Sequence, residues 1–96
     1  MPIYYASIYV TLKPAVNDPQ GSTIAESLRA LGLTSTRRVR AGKFFEVEIE
    51  AADPGAARAE VEQMCRRLLA NPVIEDYRFD VRADEASVTG ADEGPG

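Results

Sequence analysis

Cys65 is the only thiol in this chain, and the sequence contains no histidine. The commonest general base is therefore missing, and with it any Cys-His or Ser-His-Asp nucleophile system. A reactive Cys65 would need a lowered pKa. Arg66 and Arg67 follow it directly, but on a helix they fall on other faces, and Cys65 sits on an apolar stripe. It reads as a small core residue. Gly42-Lys43 invites a phosphate-loop reading and fails on context. Such a loop needs a glycine five residues before Gly42, a Ser or Thr after the lysine and a helix to follow. Position 37 is Arg, position 44 is Phe, and a strand pattern follows. Glu46, Glu48 and Glu50 share one strand face, with successive members roughly 6–7 Å apart, too far for one ion to gather all three. They read as a solvated acidic face. Nothing here makes a catalytic centre, and no metal site is expected.

The elements that carry these residues follow from periodicity. Residues 4–13 alternate, with Ile8, Val10 and Leu12 on one face and Ser7, Tyr9 and Thr11 on the other, which predicts a strand. Pro14 ends it. Asp18-Pro19 starts a helix, with an Asx N-cap and proline at the first helical position. Ile24, Leu28 and Leu31 form its apolar stripe, and Gly32 is the natural C-cap. Thr36–Arg40 and Phe44–Glu50 read as a hairpin around Gly42, with Arg38 opposite Glu46. Asp53-Pro54 repeats the helix-start signal. Ala57, Val61, Met64, Cys65 and Leu68 form the second stripe, and Asn71-Pro72 stops it. Tyr77, Phe79 and Val81 alternate with Arg78 and Asp80 as a last strand. The order β-α-β-β-α-β predicts an α+β, ferredoxin-like plan: an antiparallel four-stranded sheet with two helices on one face. The other face would show Tyr9, Thr11, Arg38, Glu46, Glu48, Arg78 and Asp80, mixed enough to be solvated or to pack on a partner.

Composition sets the frame. Ninety-six residues, 45% hydrophobic and 27% charged, make one small soluble domain. A core this small makes association a natural source of extra stability. The net charge of −4 is uneven. Asp84, Glu85, Asp92 and Glu93 lie beyond residue 82 with no base among them, so residues 1–82 form a neutral body. Residues 83–96 are expected to remain a disordered acidic tail. A neutral body argues against a nucleic-acid footprint. No apolar run reaches the ~20 residues that span a bilayer. With a single cysteine and no visible signal peptide, a cytoplasmic location is expected.

Three stretches exceed what helix and strand physics demand. They are Leu12-Lys13-Pro14 running into Asp18-Pro19-Gln20-Gly21, Val39-Arg40-Ala41-Gly42-Lys43, and Leu68-Leu69-Ala70-Asn71-Pro72-Val73-Ile74-Glu75. In this order and spacing, from about Tyr5 to Val81, the chain resembles the PurS subunit family of phosphoribosylformylglycinamidine synthase (FGAM synthase). The resemblance implies a non-catalytic subunit of a glutamine-dependent C–N ligase complex in purine biosynthesis. That complex converts formylglycinamide ribonucleotide (FGAR), ATP and glutamine to FGAM, ADP, phosphate and glutamate. It further implies partners: a large ATP-dependent synthetase subunit (PurL), a glutaminase subunit (PurQ), and the chain itself as a homodimer or tetramer. The small subunit would join the other two and support ammonia transfer. ATP and Mg would belong to the complex, with no cofactor on this chain. Asp18, Gln20, Gly21, Arg40, Gly42, Lys43 and Asn71 are the candidates for partner contact. Tyr9, Thr11 and Arg78, on the outer sheet face, are the candidates for self-association.

Two other classes share the plan. A small regulatory module could bind a metabolite at a dimer seam. An acylphosphatase-like enzyme would need a glycine-rich, arginine-bearing loop after the first strand, where residues 14–18 are Pro-Ala-Val-Asn-Asp.

Overall fold

In the computed structural model, residues 1–84 are described. The expected acidic tail beyond them lies outside the described residues, while Ala83 still pairs with Tyr4 and the Asp84 amide donates to the Ile3 carbonyl. The elements are β1 (Ile3–Leu12), α1 (Pro19–Ala30), β2 (Gly42–Glu50), α2 (Pro54–Met64), a π turn (Cys65–Leu69) and β3 (Glu75–Ala83).

Among the described residues the sheet has three strands, ordered β2-β1-β3 and antiparallel throughout. The fold is α+β, but the expected fourth strand does not form. Residues 36–41 have no regular structure and make no hairpin with β2. Instead β2 pairs directly with β1, from Ile3 opposite Glu50 to Thr11 opposite Gly42. Gly42 is therefore the first residue of a strand, not the centre of a turn, and Arg38 has no place opposite Glu46. The physical reason lies in Arg40 and Ala41, whose polar groups are taken up by the end of β1 and the start of α1 instead of by a ladder.

Alternation sets the two faces as expected. Tyr4, Ala6, Ile8 and Val10 are buried, joined by half-buried Phe45, Val47 and Ile49 from β2 and Tyr77, Phe79 and Val81 from β3. Val61 and Cys65 close over them, and Ala57 fills the far end beside Tyr4 and Ala51. Fully burying a side chain such as Ile8 or Val61 stabilises by roughly 1.5–3 kcal/mol. Where the sequence reading placed two helices on one face, the core clusters of the described residues are closed by α2 and the π turn that continues it. Packed on β3 and β1, α2 is the helix that meets the sheet, whereas α1 supplies no residue to either core cluster. Its expected stripe is largely exposed at Ile24 and Leu31, and Gly21 and Ala25 are the buried positions.

Both helices begin as their sequences predict. Asp18 accepts the Gly21 amide and Asp53 accepts the Ala56 amide, each with proline next. Gly32 takes φ +98° after α1. The second helix ends differently. A π turn takes more residues per turn than an α-helix, so it rotates the last residues off the earlier stripe. Leu68 is 83% exposed, and Leu69 packs against the core in the place Leu68 was expected to fill.

Candidate functional site

The three sequence stretches singled out above meet at one end of the sheet. Asp18 is the hub. Its Oδ1 accepts the Gly21 amide at 2.9 Å, and its Oδ2 accepts the Ala41 amide at 2.9 Å with Arg40 Nε at 3.7 Å. These bonds, the one from Gly21 first, hold the Asp18 carboxyl below its ordinary value, because each favours the charged form. Arg40 then reaches across to β1, donating through Nη2 to the carbonyls of Leu12 and Lys13. Lys13 donates its amide to the Ile74 carbonyl at 2.8 Å, and its ammonium pairs with Asp76 at 2.9 Å.

The third stretch is tied in by Glu75. Its carboxylate accepts the Asn71 amide at 2.6 Å and lies 3.5 Å from the Lys43 ammonium. Asn71 Oδ1 accepts the Val73 amide at 3.0 Å, and its carbonyl takes the amides of Ile74 and Glu75. The loop after the π turn is thus internally satisfied while Val73 stays 78% exposed.

Two glycines are required by close approach. A Cβ at position 21 would stand 2.2 Å from the Val39 carbonyl oxygen, and one at 42 would stand 2.6 Å from that of Val10. Sequence reasoning found these residues but missed their purpose. It gave Gly21 and Arg40 as partner-contact candidates in stretches that helix and strand physics does not demand; the fold itself uses both. Of the seven partner-contact candidates, Gln20 is exposed and its side chain makes no hydrogen bond among the described residues, and Lys43 is exposed with one ion pair. Asp18, Gly21, Arg40, Gly42 and Asn71 build the corner that presents them.

The outer sheet face is organised around Tyr9. The Arg78 guanidinium lies 4.1 Å from its ring centroid and Phe44 lies 5.2 Å away on the neighbouring strand. Thr11 pairs with Gly42 on one side and Asp76 on the other. Phe44, which was not among the sequence-based candidates, is a member of this cluster and is 53% exposed. Its position two residues before Glu46 on the outward parity was the available signal.

Cys65 is buried, and burial followed by the nearby Glu62 carboxylate pushes its thiol up. Tyr77 donates its hydroxyl to Glu62, which raises the phenol in turn. Among the described residues no group of three or more His, Cys, Asp or Glu could hold a metal ion, and no helix is long and apolar enough to cross a membrane.

The fold and its corner define a small α+β domain whose distinctive residues build a surface at one end of the sheet. Comparison with known proteins shows its family. The sequence model of PurS, described as phosphoribosylformylglycinamidine (FGAM) synthase, matches residues 5–83. The FGAM synthase subunit PurS of Synechocystis sp. is 44% identical over 86 residues, covering 90% of this chain and 86% of that protein. The structure of PurS from Bacillus subtilis superposes with a TM-score of 0.75 at 43% identity, over 82% of this chain and 98% of that one. A chain in the structure of PurLQS from Thermotoga maritima gives a TM-score of 0.77 at 36% identity, over 88% of this chain and all of that one. The chain belongs to the PurS family, the small subunit of FGAM synthase, a ligase of purine biosynthesis. The metabolite-binding module weighed as an alternative has no support among these relatives.

Proposed function

We propose that this chain is the assembly subunit of its FGAM synthase, joining a glutaminase and a large ATP-dependent synthetase and supporting passage of ammonia between them. The observation that carries the reading is the corner at Asp18. There the three family-matching stretches meet and hold exposed Gln20 and Lys43 on a rigid base. The PurLQS structure from Thermotoga maritima, one chain of which is 36% identical to this one, supports the choice of PurL and PurQ as partners. The chemistry of each reaction then belongs to those partners, in the cytoplasm. ATP and magnesium act on the large subunit, and this chain holds no cofactor of its own.

The same reading includes self-association as a dimer or tetramer. Exposed Ile24, Leu31 and Leu33 on and after α1 support it, since a small domain gains most by covering such groups. Size-exclusion chromatography of the three purified subunits tests the proposal. The large subunit and the glutaminase co-elute in the presence of this chain and elute apart without it. Co-elution of the two partners alone, unchanged on adding this chain, would refute the joining role.

A further inference from the structure

The outer face of the sheet holds charges of both signs that do not meet. At the end away from the Asp18 corner, Glu46 and Glu48 stand on β2, Tyr5 and Ser7 on β1, and Arg82 on β3. The register sets Tyr5 opposite Glu48 on one side and opposite Arg82 on the other, so the three form one row across the sheet. Ser7 lies in the next row, opposite Glu46. Among the described residues neither glutamate nor Arg82 enters an ion pair. Arg82 donates through Nη1 to Ser7 Oγ at 3.4 Å, and its guanidinium lies 6.0 Å from the Tyr5 ring centroid.

Strand spacing explains why these charges do not neutralise one another. Glu48 and Arg82 stand on the two strands that flank β1, so their backbones are about 9.6 Å apart with Tyr5 between them. The field along the row is polarised. Asp84 first, and then Glu48, push the Tyr5 phenol up, while Arg82 acts against them. Tyr5, Ser7, Glu46, Glu48 and Arg82 line an open cavity of about 380 Å³, the size of a small-molecule site. Glutamates along an open edge also discourage edge pairing, and that duty accounts for Glu46, Glu48 and Glu50 alike. It asks nothing of Arg82, two strands away, nor of Ser7 beside it.

The complement of this arrangement is a small molecule that carries both charges a few bonds apart. Its negative group faces Arg82 and Ser7, and its positive group faces Glu46 and Glu48. With a charge-assisted hydrogen bond of about 2.8 Å at each end, an ammonium and a carboxylate joined through one carbon bridge a gap of this size. A simple cation or a simple carboxylate meets only half of the site. A nucleotide brings several negative charges to a cavity with more carboxylates than cations.

We propose that this cavity binds a free α-amino acid as its zwitterion, with the α-carboxylate on Arg82 and Ser7 and the α-ammonium on Glu46 and Glu48. The site is built by one chain alone and stands beside the joining role without replacing it.

Titration of the full chain, labelled with nitrogen-15, with L-glutamine as the probe tests the site through amide chemical shifts. Saturable shifts are expected at residues 5–7, 46–48 and 82, with affinity in the millimolar range. Arg82→Gln and Glu48→Gln should each weaken binding about tenfold or more, since each removes one charged contact. Both side chains are exposed, and the same spectra show that the variants are folded. L-Glutaminamide, which lacks the α-carboxylate, and N-acetyl-L-glutamine, which lacks the ammonium, should each bind more weakly by a similar factor. Absence of saturable shifts, or shifts away from this face, overturns the proposal. An equal response to acetate or to putrescine also overturns it, because one kind of charge then suffices. Glutamine affinity unchanged in both variants overturns it as well.

Discussion

The carboxylate of Asp18 accepts the amide of Ala41, 23 residues further along the chain, at 2.9 Å. A helix cap is ordinarily a local device; here its second oxygen holds a distant segment. That one bond, with Arg40 behind it, directs residues 36–41 to the start of α1 and away from the open edge of β2.

Removing the charge at Asp18 should loosen this corner. Its carboxyl titrates below the ordinary 3.8, with backbone amides as the main cause. A depressed value stabilises the fold above the ordinary carboxylate range, and that contribution is lost as pH falls through the folded value. Asp18→Asn should lower Tm at pH 7 and flatten the loss of Tm between neutral pH and about pH 3. Thermal melts by circular dichroism across that range provide the check. An acid slope identical to the parent's contradicts the assignment.

Gly21→Ala raises helix propensity and should nevertheless destabilise. The new methyl meets the Val39 carbonyl oxygen at 2.2 Å, a backbone atom that cannot rotate away. A net loss of about 1–3 kcal/mol is expected in urea denaturation. A gain in stability would mean that residues 36–41 stand off from α1.

The π turn makes a paired prediction. Leu69→Ala should cost about 2 kcal/mol or more, and Leu68→Ala less than about 0.5 kcal/mol, since only Leu69 packs on the core. Denaturant midpoints of the two variants decide it. An uninterrupted α-helix would reverse the order.

Gln20→Ala and Lys43→Ala should leave Tm within about 2 °C of the parent while weakening binding to the large subunit, because neither side chain contributes a core or corner bond beyond the one Lys43–Glu75 pair. Arg40→Ala should lower Tm instead, since it frees the Leu12 and Lys13 carbonyls. Calorimetric titration against the large subunit, alongside thermal melts, separates the two groups. Unchanged binding in both surface variants would move the contact elsewhere, to the outer face around Tyr9 and Phe44.

Much of this fold was legible because local rules governed it. Period-two alternation placed β1, the core face of β2 and β3, and Asx-Pro pairs placed both helix starts. What the sequence concealed was long-range or a matter of phase. Arg40 looks like a strand residue until Leu12 and Lys13 offer it carbonyls from 27 and 28 positions away. Leu68 completes a helical stripe until the π turn rotates it out. The corner's residues were found, but their roles were not. The carbonyl oxygens that demand glycine at positions 21 and 42 belong to Val39 and Val10, which only folding brings near.

The central claim is that this chain couples two partners and performs no step itself. FGAM formation by the large subunit and the glutaminase should be measured with glutamine and, separately, with free ammonium as nitrogen donor, each with and without this chain. Glutamine-dependent synthesis should require the chain, and ammonium-dependent synthesis should not. Glutamine-dependent turnover that is the same in its absence would contradict the account.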